Sequence, residues 1–173
     1  MGLNQYYGLP FDEKELRNMG LTLGADVPFF ILGKTALARG IGEELEPVED
    51  MPPLSVVLVY PKLQVSTAWV YKHLNLGLTI CEEKYNVSWF LEDFSRIKDF
   101  LCNDLEQVTA EAFPEISVVK RALMDVGALG SLMSGSGSAV FGLFRNQGQA
   151  AEAFQQLSHQ KQWDFFLVEL LLP

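Results

Sequence analysis

The chain opens in a helical rhythm. Asp12, Glu13 and Glu15 stand where carboxylates favour a first turn, and the pattern runs out near Met19–Gly20. From Leu21 to Leu32 the sequence is apolar except for Thr22 and one aspartate, with Gly24 and Pro28 as breakers. Lys34 to Arg39 alternates as a strand does, with Thr35, Leu37 and Arg39 on one face, and turns at Gly40-Ile-Gly42. Pro47 to Pro53 holds three prolines among acidic residues and is the expected domain boundary.

Beyond that boundary the pattern strengthens. Leu54–Tyr60 is a β-branched, doubly apolar run, as in a strand covered on both faces. Ser66 and Thr67 can cap a following helix whose apolar stripe is Val70, Tyr71 and Leu74. Residues 76–88 read as an irregular loop. Helical spacing returns at Phe90, Phe94, Ile97 and Leu101, and again across Leu105–Phe113, with Asp104 as the expected cap. Pro114 starts another helix, with Ile116, Val119, Leu123 and Val126 inward and Gly127 as its carboxyl cap. Strands Leu129–Met133 and Ala139–Phe144 flank Ser134–Ser138, a helix covers Gln147–Leu157, and Phe165–Leu171 closes the chain.

From Leu54 onward the order is strand, helices, strand, strand, helix, strand. That is an α+β plan, the ferredoxin-like split β-α-β with extra helices in its first crossover.

Composition narrows the function. The 173 residues are 49% apolar and 20% charged, ordinary for a folded domain or a domain with part of a second attached. A net charge of −9 with scattered basic residues argues against a nucleic-acid surface. No stretch reaches the length of a membrane span, and nothing near the start reads as a signal peptide, so the expected location is cytoplasmic. Cys81 and Cys102 have no metal-type spacing with His73 and His159, and they read as two reduced thiols with no metal site. Both histidines sit in polar helical company and read as structural. Phe29-Phe30 and Phe165-Phe166 read as core.

Three segments could carry chemistry. Asp26 is the one charge between Asn18 and Lys34, and apolar neighbours would strip its water and suit it to accept a proton. The plainer reading is a turn or cap aspartate. Ser134, Gly135, Ser136, Gly137 and Ser138 could bring backbone N–H groups close to an anion, or form a simple hairpin loop. They fit no Walker pattern. Ser66 and Thr67 could hydrogen-bond a ligand phosphate, cap their helix, or both.

In this order the segments resemble one family. Leu23-Gly-Ala-Asp-Val-Pro-Phe-Phe-Ile31, Ala38-Arg-Gly-Ile-Gly-Glu43, Val65-Ser-Thr-Ala68, Asn103-Asp-Leu-Glu106 and Met133-Ser-Gly-Ser-Gly-Ser138 are similar to motifs of the 4-diphosphocytidyl-2-C-methyl-D-erythritol kinases. These belong to the galactokinase, homoserine, mevalonate and phosphomevalonate (GHMP) kinase superfamily.

The resemblance implies that Asp26 is the general base in transfer of the ATP γ-phosphoryl to the 2-hydroxyl of the methylerythritol part, in the non-mevalonate isoprenoid route. It implies that Ser66, Thr67 and Ser134 to Gly137 lie near substrate phosphates. ATP and Mg2+ are implied for the full-length enzyme only. Residues 1–50 would be a remnant of the amino-terminal, ribosomal S5-like kinase domain. Residues 51–173 would be the GHMP kinase carboxy-terminal, substrate-binding domain.

The family's glycine-rich ATP loop, its Lys-Asn segment and its Gly-Tyr-His pair do not occur in this sequence. The polypeptide alone is therefore expected to be inactive, with the amino-terminal half of the kinase as its missing partner, or a second copy covering apolar surface. Two other readings stay open: a sibling superfamily kinase, and a non-catalytic ferredoxin-like module that binds a ligand or partner.

Overall fold

All six residues of the run Ser-Val-Val-Leu-Val-Tyr make an inner strand of a four-stranded sheet, because β-branched side chains pack well on a pleated surface covered on both sides. A computed structural model describes residues 2–49, 51, 53–75, 81 and 96–170. They fall into two compact units, one up to Met51 and the other spanning residues 52–170.

The first unit contains three short helices, α1 (Gly2–Tyr6), α2 (Glu13–Leu21) and α3 (Val27–Leu32). A hairpin of β1 (Ala36–Arg39) and β2 (Glu44–Pro47) follows. Asp12 opens α2 in a capping box: its carboxylate accepts from the Glu15 N–H, and Glu15 accepts from the Asp12 N–H, both at 2.8 Å. Pro28, read as a breaker, instead lies in the first turn of α3, where its missing N–H costs no helical bond. Gly20 lets α2 and α3 approach, since a Cβ there would lie 2.8 Å from Ile31 Cδ1 and 2.9 Å from Val27 Cγ1.

The second unit runs β3 (Ser55–Tyr60), α4 (Thr67–His73), α5 (Ile97–Phe100), α6 (Asp104–Ala112), α7 (Glu115–Asp125), β4 (Gly130–Met133), β5 (Val140–Phe144), α8 (Gln147–Leu157) and β6 (Asp164–Glu169). The sheet order is β4-β5-β3-β6 with every neighbouring pair antiparallel. This is the strand order of the split β-α-β plan, so the expected architecture is present, with α4, α5 and α6 in the first crossover ahead of α7.

Both sheet faces are covered. On one, Val57, Val59, Val140 and Phe144 pack with Ile116, Val119 and Leu123 of α7 and Ala150, Ala153 and Leu157 of α8. On the other, Val56 and Leu143 pack with Leu54 and with Ile97 of α5.

Several expectations need correction. Tyr71 is exposed and does not share the buried stripe with Val70. The cap of α6 is Asn103, not Asp104: its Oδ1 accepts the Leu105 N–H at 3.1 Å. Phe29 and Phe30 are exposed within this chain, and Phe166 is half-exposed while its neighbour Phe165 packs against Trp163 and Phe154.

Cys81 and Cys102 are not free thiols: they form a disulfide with their Cα atoms 5.6 Å apart. Closing a loop between residues separated by 21 positions limits the unfolded chain, worth about 3 kcal/mol on the chain-entropy model. The loop expected over 76–88, apart from Cys81, and the helical spacing at Phe90 and Phe94 lie outside the described residues, as does the end of the last expected strand at Leu171.

Candidate functional site

The glycine-serine segment is the best-built polar feature of the second unit. It closes the β4–β5 hairpin just beyond the pair Met133 and Val140. Asn103 grips it from the start of α6. Its single Nδ2 donates to the Met133 carbonyl at 2.9 Å and to the Gly135 carbonyl at 2.8 Å. Nearly two helical turns further along, the fully buried Thr109 donates to the Ser136 carbonyl at 3.1 Å. Glu106 accepts the Met133 N–H at 2.8 Å and pairs with the ammonium of Lys120. The Ser138 hydroxyl donates to the Leu63 carbonyl at 2.8 Å.

Carbonyls on one side being held this way leaves N–H groups for the other. Inside the loop, Ser134 N–H reaches Ala139 and Gly137 N–H reaches Ser134. Among the described residues, no acceptor meets the N–H of Gly135 or of Ser136. The hydroxyls of Thr67 and Ser136 lie 2.8 Å apart, so α4 adds its first residue to the same patch. Ser66 caps α4, accepting the Trp69 N–H at 3.3 Å. Gly137 must be glycine: its φ is +90°, and a Cβ would lie 2.7 Å from Met133 Sδ.

Of the expected residues, the structure therefore groups Thr67 with Ser134, Gly135, Ser136 and Gly137, and gives Ser66 a capping bond one residue away. The assembled groups are N–H and O–H donors, a set that suits an anion. They include no carboxylate of the kind that commonly anchors a Mg2+ ion. Cys81, Cys102 and Asp104 bring three ligand-type atoms within 4.8 Å of one another, but the two sulfurs are bonded together.

Asp26 belongs to the other unit and precedes α3 without making a side-chain cap bond. Its carboxylate is exposed. The apolar neighbours expected to strip its water do not do so within this chain, because they point outward themselves: Leu23 is 83% exposed and Phe30 76%. The cap reading fails here too, since no N–H of α3 is bonded to it.

His73 Nδ1 lies 2.8 Å from the Trp69 carbonyl oxygen, and its ring sits beside the Trp69 ring. Asn103, Glu106 and Thr109 were missed as parts of this site. Their spacing marks only the start of a helix, and their bonds to the loop cross 27 to 32 positions of sequence.

Comparison with known proteins gives this geometry a context. Residues 87–162 match the family model described as GHMP kinases C terminal. The chain is 49% identical over 157 residues to the 4-diphosphocytidyl-2-C-methyl-D-erythritol kinase of Geobacter sulfurreducens, which covers 91% of this chain and 56% of that protein. It is 48% identical over 171 residues to the kinase of the same name from Pelobacter propionicus, covering 99% and 60% respectively.

A crystal structure of a 4-(cytidine 5'-diphospho)-2C-methyl-D-erythritol kinase superposes with a TM-score of 0.81 at 35% identity, over 96% of this chain and 60% of that one. The chain thus spans somewhat over half the length of the curated relatives it matches. Along almost all of its own length, this chain is similar to the 4-diphosphocytidyl-2-C-methyl-D-erythritol kinases, and its residues 87–162 carry the match to the GHMP kinases C-terminal family model.

Proposed function

We propose that the chain forms the acceptor-side portion of an ATP-dependent kinase that phosphorylates the 2-hydroxyl of 4-diphosphocytidyl-2-C-methyl-D-erythritol. The observation that carries this is the donor patch on the β4–β5 loop. The N–H groups of Gly135 and Ser136 and the hydroxyls of Ser136 and Thr67 form one cluster without an anionic partner among the described residues. Such a cluster suits a phosphate oxygen, as the diphosphate of this substrate or a nucleotide would present. Ser66 and Ser134 border the cluster and join it as substrate-binding residues.

In this reading Asp26 accepts the proton of the 2-hydroxyl as that oxygen attacks the γ-phosphorus of ATP, and ADP leaves. Phosphoryl transfer passes through a loose transition state and asks the protein mainly to position groups and stabilise charge. A side chain that makes no cap bond and faces outward is free to take that role. Residues 1–50 then belong to the amino-terminal kinase domain and residues 51–173 to the substrate-binding domain.

The partner that completes the site is the part of the relatives this chain does not span. It would cover Leu23 and Phe30 and dehydrate Asp26; self-association of the chain is the competing way to cover them. Mg2+ would come with ATP and take its ligands from phosphate oxygens and from that other part. Among the described residues no helix is long and apolar enough to cross a membrane. A reaction that draws on ATP places the protein in the cytoplasm, where the Cys81–Cys102 pair would meet a reducing thiol pool.

A substrate panel tests the assignment. The chain, joined to the missing portion from a relative, should phosphorylate the diphosphocytidyl substrate with kcat/KM at least about 10²-fold above homoserine or mevalonate, because sites built to hydrogen-bond a group discriminate strongly against its absence. Equal or reversed preference would make this a sibling kinase, and no ATP-dependent turnover of any acceptor would leave only a binding module.

A further inference from the structure

We propose that Asn103 is a positioning residue that aims the Ser136 N–H at the bound phosphate. This rests on the reading of the β4–β5 loop as a phosphate holder and adds the group that sets its orientation. The Gly135–Ser136 peptide is trans. In a trans peptide the C=O and N–H point in opposite directions across one plane. Asn103 Nδ2 holds the Gly135 carbonyl at 2.8 Å, so the Ser136 N–H of that plane is turned away from α6.

The second bond, to Met133 at 2.9 Å, ties the base of the loop to the same amide. Oδ1 is meanwhile engaged by the Leu105 N–H, which fixes the amide's orientation and leaves it no freedom to flip. Three of the side chain's four hydrogen-bonding positions are therefore used, and two of them set the loop. Thr109 acts on the next carbonyl, that of Ser136, whose peptide N–H closes internally on Ser134. Asn103 is thus the side chain that orients an N–H with no acceptor of its own.

The position also does an ordinary structural job, capping α6, and the test must separate the two. Serine caps a helix as well as asparagine but is too short to reach the loop, and alanine does neither. The chain itself, labelled with 15N, is titrated with inorganic pyrophosphate while the amide resonances of Gly135 and Ser136 are followed.

In the wild-type chain both resonances should shift saturably. In Asn103→Ser the pyrophosphate needed should rise on the order of tenfold, and the melting midpoint should fall modestly as the two loop bonds are lost while the cap is kept. Asn103→Ala should lose the same affinity and melt lower still, because it loses the cap as well. Asn103→Thr, another capping residue too short to reach the loop, should behave as the serine variant.

Wild-type affinity in both capping variants would overturn the positioning role while leaving the loop as a phosphate holder. Absence of any saturable shift at Gly135 and Ser136 in the wild-type chain would overturn both together.

Discussion

Asparagine in place of Asp26 should lower turnover by about 10²–10⁴-fold in the completed enzyme, with KM for the diphosphocytidyl substrate close to unchanged. The substitution keeps shape and removes the group that accepts a proton. Its structural side effects should be small, because Asp26 is exposed and gives α3 no side-chain cap.

That combination makes the experiment clean: kcat falls while the melting midpoint holds. An interaction present only as the reaction proceeds affects kcat and kcat/KM equally. Turnover undiminished in Asp26→Asn would remove the proton acceptor from the mechanism. An unchanged kcat with a raised KM would make the carboxylate a binding group instead.

The second large effect is on stability. Phe144→Ala should destabilise the second unit by about 3–5 kcal/mol, read as a lowered urea midpoint at constant slope. Phe144 is fully buried at the end of β5, paired with Ser55 of the central strand and packed among the side chains of α7 and α8. Removing the ring takes away transfer free energy and leaves a cavity in a close-packed layer.

Phe166→Ala is the control. That ring lies on β6, the edge strand, and is 50% exposed, so its loss should cost about 1 kcal/mol or less. Equal losses at the two positions would show that the sheet's helix-covered face is not the principal core.

Much of the second unit was legible in the chain because its signals are local and agree with one another. Leu54–Tyr60 reads as a strand covered on both faces, and Ser55–Tyr60 is a strand buried or half-buried up to Val59, while Ile116, Val119 and Leu123 recur at the spacing that turns one helical face to the sheet. Glycines alternating with serines between two strand patterns announced a tight loop. What that loop is tied to was not legible, since the grip of Asn103 and Thr109 arises only when the fold brings α6 beside the hairpin.

The disulfide was hidden for a similar reason. Spacing alone does not say whether two cysteines come within bonding distance. In the first unit, apolar character misled. Phe29 and Phe30 look like core, yet both are exposed among the described residues. Asp26 is exposed as well, so the role proposed for it rests on the resemblance of Gly24-Ala-Asp-Val-Pro28 to the kinases and not on its surroundings here.

The central claim is that this chain takes part in moving a phosphoryl group onto a sugar-alcohol oxygen. The most direct test joins it to the portion of a relative that it does not span, supplies ATP and 4-diphosphocytidyl-2-C-methyl-D-erythritol, and follows the mixture by 31P NMR. The expected result is one new phosphomonoester resonance, growing in step with ADP while the substrate's diphosphate signals persist. ATP left intact, or consumed without any new monoester on the acceptor, would contradict it.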